Sequence, residues 1–493
     1  MIKKLSLYFC ALSLVFGSGF KLNEHSLNSI ALSSAYVAGA NGADSALYNP
    51  ANMGMGKFAD RHEVEVSVTW LSVPKFAFTT DFTKIKKEIG RDQGTQVKCK
   101  PKNWLLGSLT CLGVDIFAPS APKGASQADG YANATNFVYP EIFYKSPTFY
   151  GFNVGFALTA PSGMTIDWDG EGGKFLDKSF IAMVEANPVL SFKLAEWLSI
   201  AGGGRIIYGM GNFQNSLYVP YRSSMEIAGA IVTSQGTTAV DQISTTQGIG
   251  YGWNAAFTLK PIYFWTEDLI ISGAYRSPAH IDFKGKLQAK ARTGSLKNPI
   301  ITADMDADLV LSTDVPPVLQ VGIAQQMGSF LVEFVYERNF WSYGDKFEFN
   351  STNQVFSNIG GSQANKMGTT DKERAEKVKS MMDGADYDAV AIGRGWKDTN
   401  SYRLGVTYGV GQKFRAMASI AYDETPVPID GFGIPDANGY MVGVGARYSM
   451  FDDLFDIGAA YSMTFKDNRK SPIQSKEGWG KLQLVNVSMA CRF

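Results

Sequence analysis

The chain has 493 residues, of which 45% are hydrophobic and 13% aromatic, and its 46 basic residues are balanced by 46 acidic ones. This balance gives no electrostatic reason to expect a nucleic acid or another polyanion as a partner. No composition break or proline-rich and serine-rich linker divides the chain, so one large domain is the simplest interpretation.

The first nineteen residues have the pattern of a secretory signal. Lys3 and Lys4 precede an apolar run at residues 5–16, and small residues follow at 17–19. The apolar run is too short to cross a bilayer as a helix, which takes about 20 residues. We therefore predict a cleaved signal peptide at 1–19 and an exported mature chain.

Hydrophobic and polar residues alternate with a period of two along much of the chain, most clearly near its C-terminus. In 455–467 the odd positions are mainly apolar or aromatic, and the even positions carry small and polar residues. Segments of this kind predict fourteen β-strands. Their approximate limits are 62–79, 135–146, 149–161, 183–194, 197–210, 249–261, 268–284, 303–327, 330–349, 399–410, 414–424, 438–450, 455–467 and 480–493.

Alternation alone does not say whether the outer face meets water or lipid, because a soluble sandwich alternates in the same way. Aromatic residues such as Phe414, Tyr440 and Tyr448 cap the apolar faces, as in the girdles of outer-membrane barrels. The chain also ends on Phe493 in an alternating strand, which resembles the terminal signature of such barrels. These features favour a transmembrane barrel over a sandwich.

Short and long connections alternate between the predicted strands, as periplasmic turns and extracellular loops do in outer-membrane barrels. The longest predicted loops are 80–134, 211–248 and 350–398, and Asp371–Met382 within the last predicts a surface helix. The sequence thus predicts an all-β fold, a 14-stranded antiparallel transmembrane β-barrel over 62–493. The eighth strand contains Pro316-Pro317 and is expected to bend there.

Residues 20–61 precede the first strand and lack its alternation. They are rich in small residues, with helical stretches and an apolar content that would form an exposed patch on a free tail. Such a segment can form either a periplasmic tail or a plug inside the barrel. The apolar content favours an N-terminal hatch in the lumen.

Two of the three mature cysteines, Cys99 and Cys111, share one polar segment of an exported chain. A disulfide between them is expected in an oxidising compartment. Cys491 is expected to be an unpaired apolar surface residue.

No constellation in the sequence predicts an enzyme, a cofactor site or a metal site. The histidines, His25, His62 and His280, are too scattered for a metal cluster. No Gly-x-Ser-x-Gly motif is present, and a nucleophile with a placed base is not evident.

A series of short motifs follows one another over nearly the whole mature chain. They are Gly19-Phe20-Lys21-Leu22-Asn23-Glu24, Tyr48-Asn49-Pro50-Ala51, Tyr275-Arg276-Ser277-Pro278, Ile281-Asp282-Phe283-Lys284-Gly285, Trp341-Ser342, Trp396-Lys397-Asp398, Asp423-Glu424-Thr425-Pro426-Val427-Pro428 and Ile434-Pro435-Asp436. In this order they resemble the FadL family of long-chain fatty acid and hydrocarbon transporters of Gram-negative outer membranes. The order of the matches is more specific than any one of them.

The resemblance implies a hatch that blocks the lumen, with Asn49, Pro50 and Ala51 as its motif. It also implies an outer hydrophobic groove between the long loops and an inner pocket, which Phe20 and Leu22 would line. The exit would be a kink in the third strand, the strand that carries Gly151 and Gly155. Glycine suits a break in a hydrogen-bond ladder.

The head group of a substrate is left open by one departure from the family. Fatty-acid members are expected to hold a carboxylate with basic side chains, but 209–212, after Tyr208, contains none. Strand parity offers Arg205 and Arg276 instead. The alternative role for each arginine is a charge in the barrel lumen that acidic neighbours neutralise.

The resemblance therefore implies a monomeric outer-membrane channel for passive uptake of long-chain fatty acids or other hydrophobic compounds. Its partners would be those small molecules, the outer-membrane lipids and the barrel assembly machinery, with no nucleic acid. A general diffusion porin and a surface adhesin are the alternatives.

Overall fold

The computed structural model describes residues 22–83, 95–97, 109–116, 125–173, 177–227, 230–260, 269–294, 297–344, 346–382, 390–393, 395–411, 413–429, 436–467, 474–476 and 481–493. Among these residues, no helix is both long enough and apolar enough to span a bilayer.

Most of the described chain is β-strand. The helices are α1 (Leu27–Ala31), α2 (Ser45–Tyr48), α3 (Asp371–Met382) and two 3-10 turns, Pro50–Asn52 and Ala364–Lys366. The strands are β1 (Glu63–Val73), β2 (Phe76–Asp81), β3 (Thr95–Val97), β4 (Leu109–Ile116), β5 (Gln127–Ala132), β6 (Thr135–Lys145), β7 (Phe152–Asp169), β8 (Lys178–Ala195), β9 (Leu198–Ile227), β10 (Ala230–Leu259), β11 (Leu269–Arg276), β12 (Ala279–Gly294), β13 (Pro299–Val315), β14 (Val318–Met327), β15 (Phe330–Asn339), β16 (Lys346–Gly360), β17 (Val390–Gly393), β18 (Thr399–Val410), β19 (Phe414–Asp423), β20 (Gly439–Met450), β21 (Phe455–Lys466), β22 (Gln474–Lys476) and β23 (Lys481–Arg492).

Fourteen antiparallel strands close into a barrel. β1 pairs with β6 on one side and with the last strand, β23, on the other, so the sheet has no free edge at its ends. The wall strands are β1, β6, β7, β8, β9, β10, β11, β14, β15, β18, β19, β20, β21 and β23. The predicted fold class is confirmed.

Each wall strand turns one face to the lumen and the other outward. On β1, Glu65 and Ser67 are buried in the lumen, whereas Val66 and Trp70 are exposed on the outside. The same alternation places valine, isoleucine, leucine and aromatic side chains on the outer surface of the other strands. An outer face of this composition is the one that lipid requires.

The longest predicted loops are wrong in part, because much of each is strand. β9 and β10 pair without interruption from Leu198–Leu259 to Ile227–Ala230, so 211–227 and 230–248 are paired strands rather than loop. β2 to β5 lie within 76–132, and β16 and β17 within 346–393. Beyond the membrane a strand needs no apolar face, so the hydrophobic pattern fades while the backbone pairing continues. The predicted surface helix is confirmed as α3.

The predicted bend at Pro316-Pro317 is confirmed, since β13 ends at Val315 and β14 begins at Val318. β14 is a wall strand paired with β11 and β15, and β13 pairs with β12 and β16 of the same sheet on the other side of the bend. One predicted strand is therefore two consecutive strands that the two prolines separate.

The segment from Glu24 to Met53 is almost entirely buried inside the barrel. The carboxylate of Glu333 on β15 accepts the backbone N–H groups of Val37, Ala38 and Gly39 at 2.7, 2.6 and 2.9 Å. A Cβ at Gly39 would lie 2.7 Å from Glu333 Oε2, so glycine permits this approach.

Two arginines add further anchors between wall and hatch. Arg403 Nη1 donates to the Ser33 carbonyl at 2.9 Å, and Arg447 Nε donates to Asn28 Oδ1 at 2.7 Å. Both arginines also pair with carboxylates, Arg403 with Asp423 and Arg447 with Glu65. The wall thus holds the hatch by charged hydrogen bonds in a water-poor lumen, where such bonds are strong.

We predict that Glu333→Ala loosens the hatch, because three buried N–H groups lose their acceptor at once. The expected result is a higher and more variable single-channel conductance in planar bilayers than that of the unaltered protein. Glu348→Ala, at an exposed position of β16, is the matched control. Equal conductance in all three proteins would contradict the anchoring role.

Candidate functional site

A cavity of about 60 Å³ lies between the start of the hatch and the barrel wall. We call it the inner pocket. Its lining combines apolar side chains with polar and charged groups from the hatch, β7, β9, β11 and β14. Its lining residues are Leu22, Asn23, His25, Leu47, Tyr48, Pro161, Ser162, Met183, Arg205, Ile207, Arg276, Val315, Pro316, Val318 and Gln320.

Three charged side chains meet at the polar side of the inner pocket. Arg205 Nε and Nη2 each donate to the Glu185 carboxylate at 3.0 Å, and Arg205 Nη1 donates to the Ser277 carbonyl. Arg276 Nη2 donates to the same carboxylate. The triad contains two cations and one anion, so its net charge is +1.

The two arginines differ in the hydrogen bonds they have left. Arg205 has only 4% of its side chain exposed, and each of its three nitrogens has a partner. Arg276 is 16% exposed, and its Nη1 has no hydrogen-bond partner among the described residues. Arg205 therefore orders the triad, while Arg276, which also lines the inner pocket, keeps one buried nitrogen without a partner in the described part of the chain.

Tyr48 connects the hatch to the same pocket. Burial raises the pKa of Tyr48 well above its ordinary value, so the phenol stays protonated. Its hydroxyl accepts the backbone N–H of His25 at 2.8 Å and donates to the Asn23 carbonyl at 3.2 Å. These two hydrogen bonds hold the backbone of residues 23–25 beside the pocket.

The wall has a gap beside the inner pocket, and we call this gap the window. β6 and β7 pair only from Lys145–Gly155 to Ile142–Leu158. Continuing that register would pair Glu141 with Thr159, but the ladder stops there. The strands meet again near Thr165, whose carbonyl accepts a hydrogen bond from Thr135 Oγ1 at 3.3 Å.

A bulge in β7 accompanies the window. Its pairing with β8 shifts register between Thr159 and Ser162. Pro161 lies in the bulge, and Pro140 lies at the facing level of β6. Neither proline has an N–H group to give to a ladder, so the sequence itself opposes pairing here.

The sequence prediction identified the strand of the window but not its position. Gly151 lies in the turn before β7 with φ +84, and Gly155 is paired with Lys145. At Gly155 a Cβ would lie 2.5 Å from Met53 Sδ, so this glycine serves the close approach of the hatch. The assignment of the break to these glycines is corrected to the bulge that contains Pro161.

Of the predicted pocket residues, Leu22, Arg205 and Arg276 all line the inner pocket. Phe20 lies outside the described residues. The Leu22 N–H donates to the Pro161 carbonyl at 2.9 Å, so the start of the described hatch covers the inner side of the bulge.

The predicted hatch motif is a buried turn. Asn49 Oδ1 accepts the Ala51 N–H at 3.1 Å, and Pro50 opens the 3-10 turn that follows. Asn49 Nδ2 donates to the Val37 carbonyl and to Thr258 Oγ1 of β10, at 3.1 and 2.9 Å. The motif shapes the hatch and ties it to the wall.

Three residues of the site were missed by the sequence prediction: Glu141, Glu185 and His25 as a pocket residue. Both glutamates lie at lumen-facing positions of predicted strands. A lumen-facing carboxylate at the same height in the barrel as a lumen-facing arginine was the sequence signal that could have identified them. Cys99 lies outside the described residues, so the predicted disulfide stays a prediction. Cys491 is unpaired, as expected.

The family model of the outer membrane protein transport proteins (OMPP1/FadL/TodX) matches residues 8–490. The chain belongs to this family. This OMPP1/FadL/TodX protein is accordingly an outer-membrane transport protein of Gram-negative bacteria, and the family resemblance is confirmed.

Two curated relatives of this OMPP1/FadL/TodX protein have different names. It is 23% identical to a long-chain fatty acid transport protein of Escherichia coli, over 77% of this chain and 82% of the relative. It is 22% identical to outer membrane protein P1 of Haemophilus influenzae, over 72% of each chain.

Solved structures share the fold at low identity. A Pseudomonas aeruginosa FadL homologue superposes with a TM-score of 0.65 at 16% identity, covering 96% of this chain and 99% of the homologue. The toluene transporter TodX of Pseudomonas putida gives 0.62 at 14% identity, with 96% and 99% covered. Identities this low show the fold alone, so the substrate must be argued from this chain's own side chains.

We predict different costs for removing the two arginines. Arg205→Met takes a two-pronged partner from buried Glu185 and should lower the free energy of unfolding by about 3 kcal/mol. Arg276→Met removes one charged hydrogen bond and should cost about 1–2 kcal/mol. The measurement is urea unfolding in lipid vesicles followed by tryptophan fluorescence.

The control is Arg338→Met, because the Arg338–Asp398 pair is partly exposed at 36% and 22%. A pair of that kind contributes little, so the change should cost under about 1 kcal/mol. Equal costs for Arg205→Met and Arg276→Met would contradict the division of roles.

Proposed function

We propose that this protein is a passive uptake channel for long-chain fatty acids or other hydrophobic compounds that carry one anionic head group. The observation behind the proposal is the Nη1 of Arg276, unpartnered among the described residues, on a residue that lines a partly apolar pocket beside the window. Apolar lining suits the alkyl part of such a solute, and a guanidinium donor suits its carboxylate.

The charge of the triad supports a single negative charge on the solute. Arg205, Arg276 and Glu185 sum to +1, and a buried excess charge is costly unless a counter-charge is close. A monoanion beside Arg276 would bring the sum to zero. A hydrocarbon would leave the excess charge in place.

The size of the inner pocket supports a movement of the hatch during uptake. Its volume of about 60 Å³ is smaller than the apolar cavity of about 150 Å³ that holds benzene in an engineered protein. A long chain therefore needs more room. Displacing Leu22 from Pro161 would provide it and would uncover the window at the same time.

The hatch-filled lumen and the window together favour lateral release over axial diffusion. An alkyl chain gains about 0.8 kcal/mol per methylene on entering an apolar phase, so it leaves toward lipid more readily than toward water. The same filling of the lumen weighs against a general diffusion porin.

Head-group recognition is tested with Arg276→Met and a pair of ligands of equal chain length, a fatty acid and the matching alkane. We expect the affinity for the acid to fall about 10- to 100-fold, as for one lost charged hydrogen bond, and that for the alkane to stay unchanged. Binding is measured by competition with a fluorescent fatty acid. Equal loss for both ligands would contradict a carboxylate contact.

Lateral release is tested by deleting Pro161. This removes the extra residue of the bulge together with a residue that lacks a ladder donor, and it should let β6 and β7 pair across the window. We expect uptake of labelled fatty acid by whole cells to fall to the level of cells lacking the protein. Deletion of Ser362, in the turn after β16, is the control, and uptake that survives the Pro161 deletion would disprove exit through the window.

A further inference from the structure

A buried histidine joins the inner pocket to one edge of the window. His25 lines the pocket, and its Nδ1 lies 2.6 Å from Glu141 Oε1. Only 7% of the His25 side chain and none of the Glu141 side chain is exposed. Glu141 stands on β6 at the level where the pairing with β7 ends. The pair therefore joins the hatch to the end of the window where the β6–β7 ladder stops.

The neighbours of His25 in the hatch are held by other wall strands. Asn23 Nδ2 donates to Glu337 Oε1 at 3.3 Å, and Glu24 Oε1 lies 3.7 Å from Arg403 Nη1. These partners belong to β15 and β18, away from the window. Among residues 22–25, Leu22 forms a hydrogen bond to the window strands through its backbone, and His25 forms one through its ring.

A ring nitrogen and a carboxylate at hydrogen-bond distance form a strong contact when water is excluded. Leu22 contributes one backbone hydrogen bond to β7, which any residue other than proline could make. The side-chain contact between His25 and Glu141 is therefore the specific bond between the first described hatch residues and β6.

We propose that His25 and Glu141 form a latch that positions residues 22–25 across the window, with His25 as a positioning residue for lateral release. The inference rests on the proposed function. When the latch is closed, the hatch covers the bulge and the pocket is too small for a long chain. When it opens, the pocket widens and the window is uncovered in the same movement.

The test uses the accessibility of a cysteine placed at Ser162, which is buried at 2% exposure and lines the pocket beside the bulge. The other mature cysteines, Cys99, Cys111 and Cys491, are replaced by serine. A small maleimide reports how often residue 162 becomes accessible in protein reconstituted in lipid vesicles. We expect His25→Ala to raise the labelling rate about tenfold, as for one lost charged hydrogen bond.

Three further variants make the test specific. His25→Asn keeps a side-chain nitrogen in reach of Glu141 and should restore slow labelling. Glu141→Ala, alone and combined with His25→Ala, should show strong non-additivity, because each change removes the same contact. Tyr144→Phe removes the hydroxyl that lies 3.0 Å from His62 Nδ1 elsewhere on β6, and it should label at the unaltered rate.

The latch is disproved if His25→Ala labels at the unaltered rate, if Tyr144→Phe accelerates labelling equally, or if the two latch changes are additive. The assay needs no substrate, so its outcome is separate from that of the proposed function. Absence of fatty-acid binding by the unaltered protein would refute the function while leaving the labelling result to stand or fall alone.

Discussion

The structure depends on the neutralisation of charge inside a closed barrel. Lumen-facing arginines and carboxylates are shielded from bulk water by the hatch, so each must find a partner there. Arg403, Arg447 and Glu333 find theirs partly on the hatch, which makes the plug and the wall one hydrogen-bonded unit. The hatch is thus held mainly by polar contacts of defined direction around a small apolar core.

The same requirement explains the polar side of the inner pocket. Glu185 can satisfy two arginines only partly, since Arg205 takes both of its oxygens and Arg276 shares one of them. The remaining donor, Nη1 of Arg276, is buried without a hydrogen-bond partner among the described residues. In the proposed function this nitrogen is the binding group, and it is left over because charge compensation in the wall is incomplete by one unit.

Much of the barrel could be predicted from the sequence because lipid imposes a strict rule on alternate residues. β18 was predicted with its observed limits, Thr399–Val410, and β19, β20 and β21 within one residue. The hairpin of β9 and β10 was missed above the membrane, where water lies on the outside and the rule lapses. There the strands are specified by their pairing partners, which no single segment reveals.

The site was predictable only to the level of strand and face. Parity placed Arg205 and Arg276 in the lumen, and the structure brings both to the inner pocket. Their division of labour depends on Glu185, and the role of His25 depends on Glu141, 116 residues away. The window was sought at glycines, whereas prolines at 140 and 161, which lack ladder donors, were the better sign.

The long hairpin has a consequence for the exposed side of the cell. β9 has 30 residues, and at about 3.3 Å per residue it extends for about 100 Å, whereas about 9–11 residues suffice to cross the bilayer. Most of it therefore stands outside the hydrocarbon layer as paired backbone. Proteases prefer loop tips, so this projection offers them little to cut. The paired backbone of this projection therefore presents fewer cleavage sites than an unpaired loop of the same length would.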